Sequence, residues 1–211
     1  MKFSKTIAQV TLVLAAIPAA ALAGETGTLY TQFGTNGLGI GYAASVSDDF
    51  AARGQFNVFK QSFSGDVGDF GAGSTLTVDL GLSSVQLVGD WYPSDGGFRV
   101  SGGVVFNNNK ITINGTGATV GTATNQTVNA EIKMSDSLSP YLGVGYSTRP
   151  KDASGFGFNF DLGVMFQNPK VTITAAGASA ADIAAQEATV LDAVNKLKTM
   201  PVFGIGVSYA F

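Results

Sequence analysis

The chain has neither cysteine nor histidine in its 211 residues. Disulfide frameworks, thiolate or imidazole metal sites, and every scheme that needs a histidine base are thereby removed. The side chains left for chemistry are charges. Seven of them fall on one alternating face of apolar or glycine-rich stretches: Arg53, Asp79, Asp90, Arg99, Glu131, Lys133 and Asp161. Charges of both signs inside a low-dielectric wall need each other or water. Asp90 and Arg99 flank one short connection and Arg53 stands on the neighbouring stretch, so these three are expected to meet near one end of the fold, with Asp161 on the far wall. Asp79 and Asp161 show no spacing that argues for a general acid paired with a general base. No enzyme, cofactor or metal site is expected.

The elements that must hold these charges are strands, because large apolar side chains recur with period two. Phe203, Ile205, Val207, Tyr209 and Phe211 alternate with Gly204, Gly206, Ser208 and Ala210. Phe156, Phe158, Phe160, Leu162, Val164 and Phe166 alternate with Gly157, Asn159, Asp161, Gly163 and Met165. The same division marks Leu29–Phe33, Leu38–Val46, Phe50–Val58, Leu76–Trp91, Phe98–Asn107 and Val128–Tyr146, which makes eight strands, an even number. One of them changes phase: Leu76, Val78, Leu80 and Leu82 are even, whereas Val85, Leu87 and Trp91 are odd, and a β-bulge near Ser83–Ser84 is expected to restore the facing.

Connections sort by length. Ser47–Asp49, Pro93–Gly97 and Arg149–Ser154 are short and fall on one side, whereas the Gly65–Ser74, Thr116–Gln126 and Ala175–Thr199 segments are long and fall on the other, along with the short Thr35–Gly37 turn. Barrels of bacterial outer membranes have that asymmetry. In the last long segment, Ser179 and Asp182 have the spacing of a capping box, and Ile183, Val190, Val194 and Leu197 return at helical spacing, so a short helix is expected there. Its simplest role is to pack on the barrel rim; the alternatives are a lid over the mouth and a contact with lipid.

Composition fits an exported barrel. Charged residues are 13%, hydrophobic ones 45%, glycines number 28 and mean hydropathy is +0.24, which excludes both a disordered chain and a basic nucleic-acid binder. Lys2 and Lys5, the apolar run Ile7–Ile17 and Ala21-Leu22-Ala23 form a secretory signal, so residues 24–211 are expected as a single barrel domain after cleavage. Losing the two lysines makes the formal charge of −3 two units more negative. The bulky face is assigned to lipid and the small face, with Gly103, Gly143, Gly145, Gly163, Gly204 and Gly206, to the interior. Trp91, Tyr92, Phe98 and Tyr146 lie close to the short turns, where an interfacial girdle would sit.

Three pieces, Leu138-Ser139-Pro140-Tyr141-Leu142-Gly143-Val144-Gly145-Tyr146, Gln167-Asn168-Pro169-Lys170-Val171 and Met200-Pro201-Val202, resemble stretches of the small outer-membrane barrels of the carbapenem-associated, ornithine-uptake porin type, and Gly34-Thr35-Asn36-Gly37-Leu38-Gly39 fits an early strand pair of that group. The resemblance implies an eight-stranded monomeric antiparallel barrel in a Gram-negative outer membrane, in contact with lipid and lipopolysaccharide, and slow passage of small solutes, basic amino acids among them. The terminal pattern Phe203, Ile205, Val207, Tyr209 and Phe211 resembles the signal read by the barrel-assembly machinery. Two functions stay open at this point: a narrow channel whose charged constriction selects small ions or zwitterions, and a closed structural barrel, plugged by salt bridges, whose outer loops mediate surface interactions.

Overall fold

The structure is a computed structural model that describes residues 27–66, 74–94, 96–135, 137–148 and 154–211. The expected signal segment and parts of the 65–74, 93–97 and 149–154 connections lie outside the described residues. The strands are β1 (Gly27–Gly34), β2 (Gly37–Ser45), β3 (Phe50–Asp66), β4 (Thr75–Trp91), β5 (Phe98–Asn107), β6 (Lys110–Val120), β7 (Ala123–Lys133), β8 (Leu138–Ser147), β9 (Gly155–Phe166), β10 (Lys170–Ala175) and β11 (Thr199–Ala210), with one helix, α1 (Ala180–Val194), between the last two.

Eight of these strands close a ring of antiparallel ladders in the order β1, β2, β3, β4, β5, β8, β9, β11 and back to β1. The fold is therefore the expected eight-stranded antiparallel barrel. Its seam is tied at the end of the chain, where the backbone N–H of Phe211 donates to the carbonyl of Gly27 at 3.1 Å. At the β1–β2 turn Gly37 has φ +94°, a conformation open to glycine and costly for other residues.

The remaining strands continue the ring upward on one side only. β5 runs on into β6 through Asn108 and Asn109, β7 descends into β8, and β9 rises into β10, so that the upper halves of β3 and β4 join β6, β7 and β10 in a sheet standing on the rim. Residues 116–126, expected as a loop, are instead the ends of β6 and β7 around a two-residue turn at Gly121–Thr122, with Val120 opposite Ala123 and Gly121 at φ +59°.

No bulge interrupts β4 at Ser83–Ser84. Its register with β3 steps one residue at a time from Trp91 opposite Phe50 to Thr75 opposite Asp66. Even positions therefore face one way along the whole strand, and what changes at Ser83 is the surroundings. Within the ring the odd set, Val85, Leu87 and Trp91, is exposed on the outer wall and Gln86, Val88 and Asp90 are buried inside. Above the rim the even set turns apolar in three register rows: Leu80, Ile111, Ile132 and Val171; Val78, Ile113, Ala130 and Ile173; Leu76, Gly115, Val128 and Ala175. Helix α1 covers part of this face, with Ile183, Val190, Leu191 and Val194 half-buried.

Helix α1 begins where the sequence places it. The backbone N–H of Asp182 donates to the Ser179 hydroxyl at 3.1 Å, and that hydroxyl donates to the Asp182 carboxylate at 2.8 Å, which satisfies one of the helix's free N–H groups. Its Glu187 accepts from the backbone N–H of Ile173 at 2.7 Å and so covers the open edge of β10. The segment packs on the upper sheet through β10 and β6.

Candidate functional site in the barrel lumen

Interior positions come from every second residue of each ring strand, and the strands are held close enough that glycine decides what fits. A Cβ on Gly145 would lie 3.0 Å from the Arg99 guanidinium, and one on Gly204 would lie 2.5 Å from the Gln32 amide. Large polar side chains thus lie flat over glycines of the neighbouring strand, Arg99 of β5 over Gly145 of β8 and Gln32 of β1 over Gly204 of β11. An eight-stranded interior has room for little else.

Four of the seven charges picked out in the sequence converge there. Arg53 on β3, Asp90 on β4, Arg99 on β5 and Asp161 on β9 are exposed by only 6%, 1%, 1% and 4%, so water screens none of them appreciably. Arg53 grips both carboxylates: Nε lies 2.8 Å from Asp90 Oδ2, and Nη1 donates to Asp161 Oδ2 at 2.9 Å. Arg99 donates through Nη2 to Asp161 Oδ1 at 2.7 Å, and its Nε stands 3.7 Å from Asp90. Two arginines and two aspartates make the ring neutral. Asp161 is held across the lumen by Arg53 and Arg99 together, which joins the wall expected to stand apart to the rest of the cluster.

Asp79, Glu131 and Lys133, the other three, are not lumen residues. They lie on the opposite face of the upper sheet, where Glu131 is 3.5 Å from Lys133 and 3.7 Å from Lys110, both exposed. The correction has the same cause as the missing bulge. Above the rim the apolar side chains of these strands line the inner face, so the charges fall on the outer one and the alternation that marks the lumen below marks the surface here.

Several partners of the ring were not picked out in the sequence. Gln32 on β1 donates to Asp161 at 2.6 Å, Ser101 donates to Asp90 at 2.5 Å, Arg99 donates to the Ser147 hydroxyl, and the Tyr30 ring lies 5.8 Å from the Arg53 guanidinium carbon. Each occupies an inward position of its strand. The signal that finds them is parity: a polar residue in step with buried neighbours. Above the ring come an apolar layer of Val88, Val105, Tyr141, Met165 and Val202, and then amides, with Asn57 donating to Ser84 at 3.2 Å and Asn107 to Gln167 at 3.1 Å.

Two small cavities flank the ring. The one on the side of the short turns, about 40 Å³, is lined by Tyr30, Arg53, Asp90, Arg99, Asn159 and Ser208 among others, and the one above, about 10 Å³, by Gln32, Gln55, Asn57, Gln86, Tyr141 and Asp161 among others. Spaces of that size hold about three water molecules and one. Among the described residues no three histidine, cysteine, aspartate or glutamate side chains converge as metal ligands.

The outer wall is the reverse of the lumen. Phe203, Ile205, Val207, Tyr209 and Phe211 on and just after β11 all point outward and are 39–59% exposed. Trp91, Phe98 and Tyr146 do likewise near the short turns, while Tyr92 is buried.

Neither a protein-family model nor a curated protein sequence matches the chain. Crystal structures that match its fold include CarO2 of Acinetobacter baumannii, at 19% identity over 89% of this chain and 98% of that one, and CarO of the same organism, at 20% identity over the same shares, each with a TM-score of 0.60. The chain has the CarO fold. At that identity the likeness belongs to the backbone. The CarO-like barrel is what positions the ring described above, and the resemblance of the terminal segments to the carbapenem-associated porins is matched by this shared architecture.

Proposed function

We propose that the chain is an exported outer-membrane barrel, monomeric and without enzymatic activity, that acts as a narrow channel for small solutes and is held shut in this conformation by the Arg53–Asp90–Arg99–Asp161 ring. The outer-membrane reading rests on the belt of exposed apolar side chains around a fully closed sheet, since a closed barrel leaves no backbone group unpaired in lipid. Export rests on the Met1–Ala23 signal, and insertion by the barrel-assembly machinery on the outward pattern that ends at Phe211.

The observation that carries the channel reading is the polarity of the lumen on both sides of the ring. Buried atoms without a protein hydrogen-bond partner include Tyr30 Oη and both amide atoms of Asn159 on one side, and Gln55 Oε1 and Tyr141 Oη on the other. Buried polar groups of this kind are satisfied by water. Opening the ring need strand no charge. Arg53 releasing Asp161, together with Arg99 releasing Asp90, leaves Arg53 paired with Asp90 on β3 and β4, and Asp161 of β9 paired with Arg99 of β5 and Gln32 of β1. The ring splits into two neutral halves.

The second reading, a permanently closed barrel that carries the upper sheet as its working surface, is favoured by the small size of the two cavities. Single-channel recording of the chain from Gly24 in planar bilayers separates the two. Brief, small, weakly ion-selective openings that become longer in Arg53→Gln support the channel. Silence in both proteins, once correctly inserted, supports the closed barrel.

A further inference from the structure

Four of the chain's lysines stand in one register row. Lys60 on β3 is opposite Gly81 on β4, Gly81 opposite Lys110 on β6, Lys110 opposite Lys133 on β7, and Lys133 opposite Lys170 on β10. All four belong to the outward face of the upper sheet, where the Lys110 and Lys133 side chains are 51% and 59% exposed. Like charges directly opposite each other weaken a sheet unless something anionic lies between them. Among the described residues Glu131 bridges Lys110 and Lys133 in that role, with Asp79 in the same adjoining row.

The height of this row is what gives it a partner. On three strands the lysine follows an outward phenylalanine by four residues: Phe56 and Lys60, Phe106 and Lys110, Phe166 and Lys170. Phe106 and Phe166 are 48% and 41% exposed on the outer wall, at the upper limit of its apolar belt. Four residues of extended chain cover about 13 Å, which at a strand tilt of about 40° is a rise of about 10 Å. The lysine backbones therefore stand about 10 Å above the phenylalanines, and their long stems bend back to bring the ammonium groups to the lipid headgroups, whose layer is about 5–8 Å deep.

We propose that Lys60, Lys110, Lys133 and Lys170 form a docking surface for the phosphates of an outer-leaflet glycolipid, with acyl chains against the phenylalanines below and phosphates against the lysine row. The inference rests on the outer-membrane reading and supplies the residues for the expected contact with lipopolysaccharide. Compact ammonium charges on flexible stems suit phosphates whose positions vary from lipid to lipid.

The test uses the chain from Gly24, folded in neutral detergent, and fluorescent lipid A carrying both phosphates. Binding is expected to fall about fivefold for each lysine changed to glutamine, to weaken with salt, to drop for lipid A stripped of its phosphates, and to be retained when all four lysines become arginine. Lys196→Gln with Lys198→Gln, outside the row, should leave it unchanged. Equal binding by the fourfold glutamine variant, or by dephosphorylated lipid A, overturns the docking surface. Should the fourfold variant misfold, as heat-modified gel mobility would show, Lys133→Glu alone takes its place. Insertion into phosphatidylcholine vesicles is scored separately. A chain that inserts but ignores the phosphates loses only this inference, whereas one that never inserts loses the membrane reading with it.

Discussion

The ring and the sheet that stands on it are built from the same strands, yet they are coloured in opposite ways. On β4, Asp90, Gln86 and Ser84 face the lumen while Trp91, Leu87 and Val85 face out; a few residues higher, Leu80, Val78 and Leu76 face in while Asp79 and Thr77 face out. Backbone geometry is continuous across the change, so the strand has not slipped or bulged. Only the medium against the outer face differs, lipid below in the reading adopted above and water beyond the rim. Polarity along a strand reports what surrounds it, and parity reports which way it faces. The two have to be read separately.

The comparison is tested hardest at the ring. Arg53→Ala removes one partner from buried carboxylates and is expected to lower unfolding stability by about 3–5 kcal/mol, measured by urea unfolding in micelles. A loss below about 1 kcal/mol, the scale of an exposed ion pair, would mean that the lumen is wet enough to screen those charges. Next in size is a charge placed on the outer wall. Phe160→Arg, which also loses the edge-on contact of Phe160 with Phe203 at 5.5 Å between ring centres, should cost about 2–4 kcal/mol in bilayers. The matching change on the outer face of the upper sheet, Asn129→Arg, should stay within about 0.5 kcal/mol. Equal costs at the two sites would erase the distinction between the regions.

A smaller effect sharpens the reversed interior. Ile132 is 5% exposed on the inward face of β7, and Ile132→Ala should cost about 2 kcal/mol through the cavity it leaves. Val207→Ala on the outer wall should cost less, because lipid closes around the smaller side chain; the same unfolding assay compares them. The smallest change is Ser179→Ala. It should weaken α1 by about 1 kcal/mol, visible as faster amide hydrogen exchange at Asp182 and its neighbours while the exchange of barrel amides is unaltered.

Much of this was legible in the residues. The number of ring strands, their antiparallel order, the outward terminal pattern and the Ser179 cap all follow from local chemistry: period two, turn lengths and one hydroxyl three residues before an acid; the single strand expected over Val128–Tyr146 is instead the end of β7 and nearly all of β8. Arg53, Asp90 and Arg99 could be placed together because short connections bring neighbouring strands into register. The errors share one source. Taking the apolar set to face outward along the whole chain places Asp79, Glu131 and Lys133 inward, asks for a bulge at Ser83–Ser84 and leaves the polar residues 116–126 as a loop, whereas above the belt the apolar set faces in.

Sequence by itself determined the strands, their facing within the belt and the supply of charge, since each depends on side chains near one another in the chain. Tertiary structure alone decided that Asp161 crosses the lumen to Arg53, 108 residues away, that Gln32 joins them, and that lysines from four strands line up above the phenylalanines. Those meetings depend on ring closure and on the stagger between strands. A period along one strand carries no record of either.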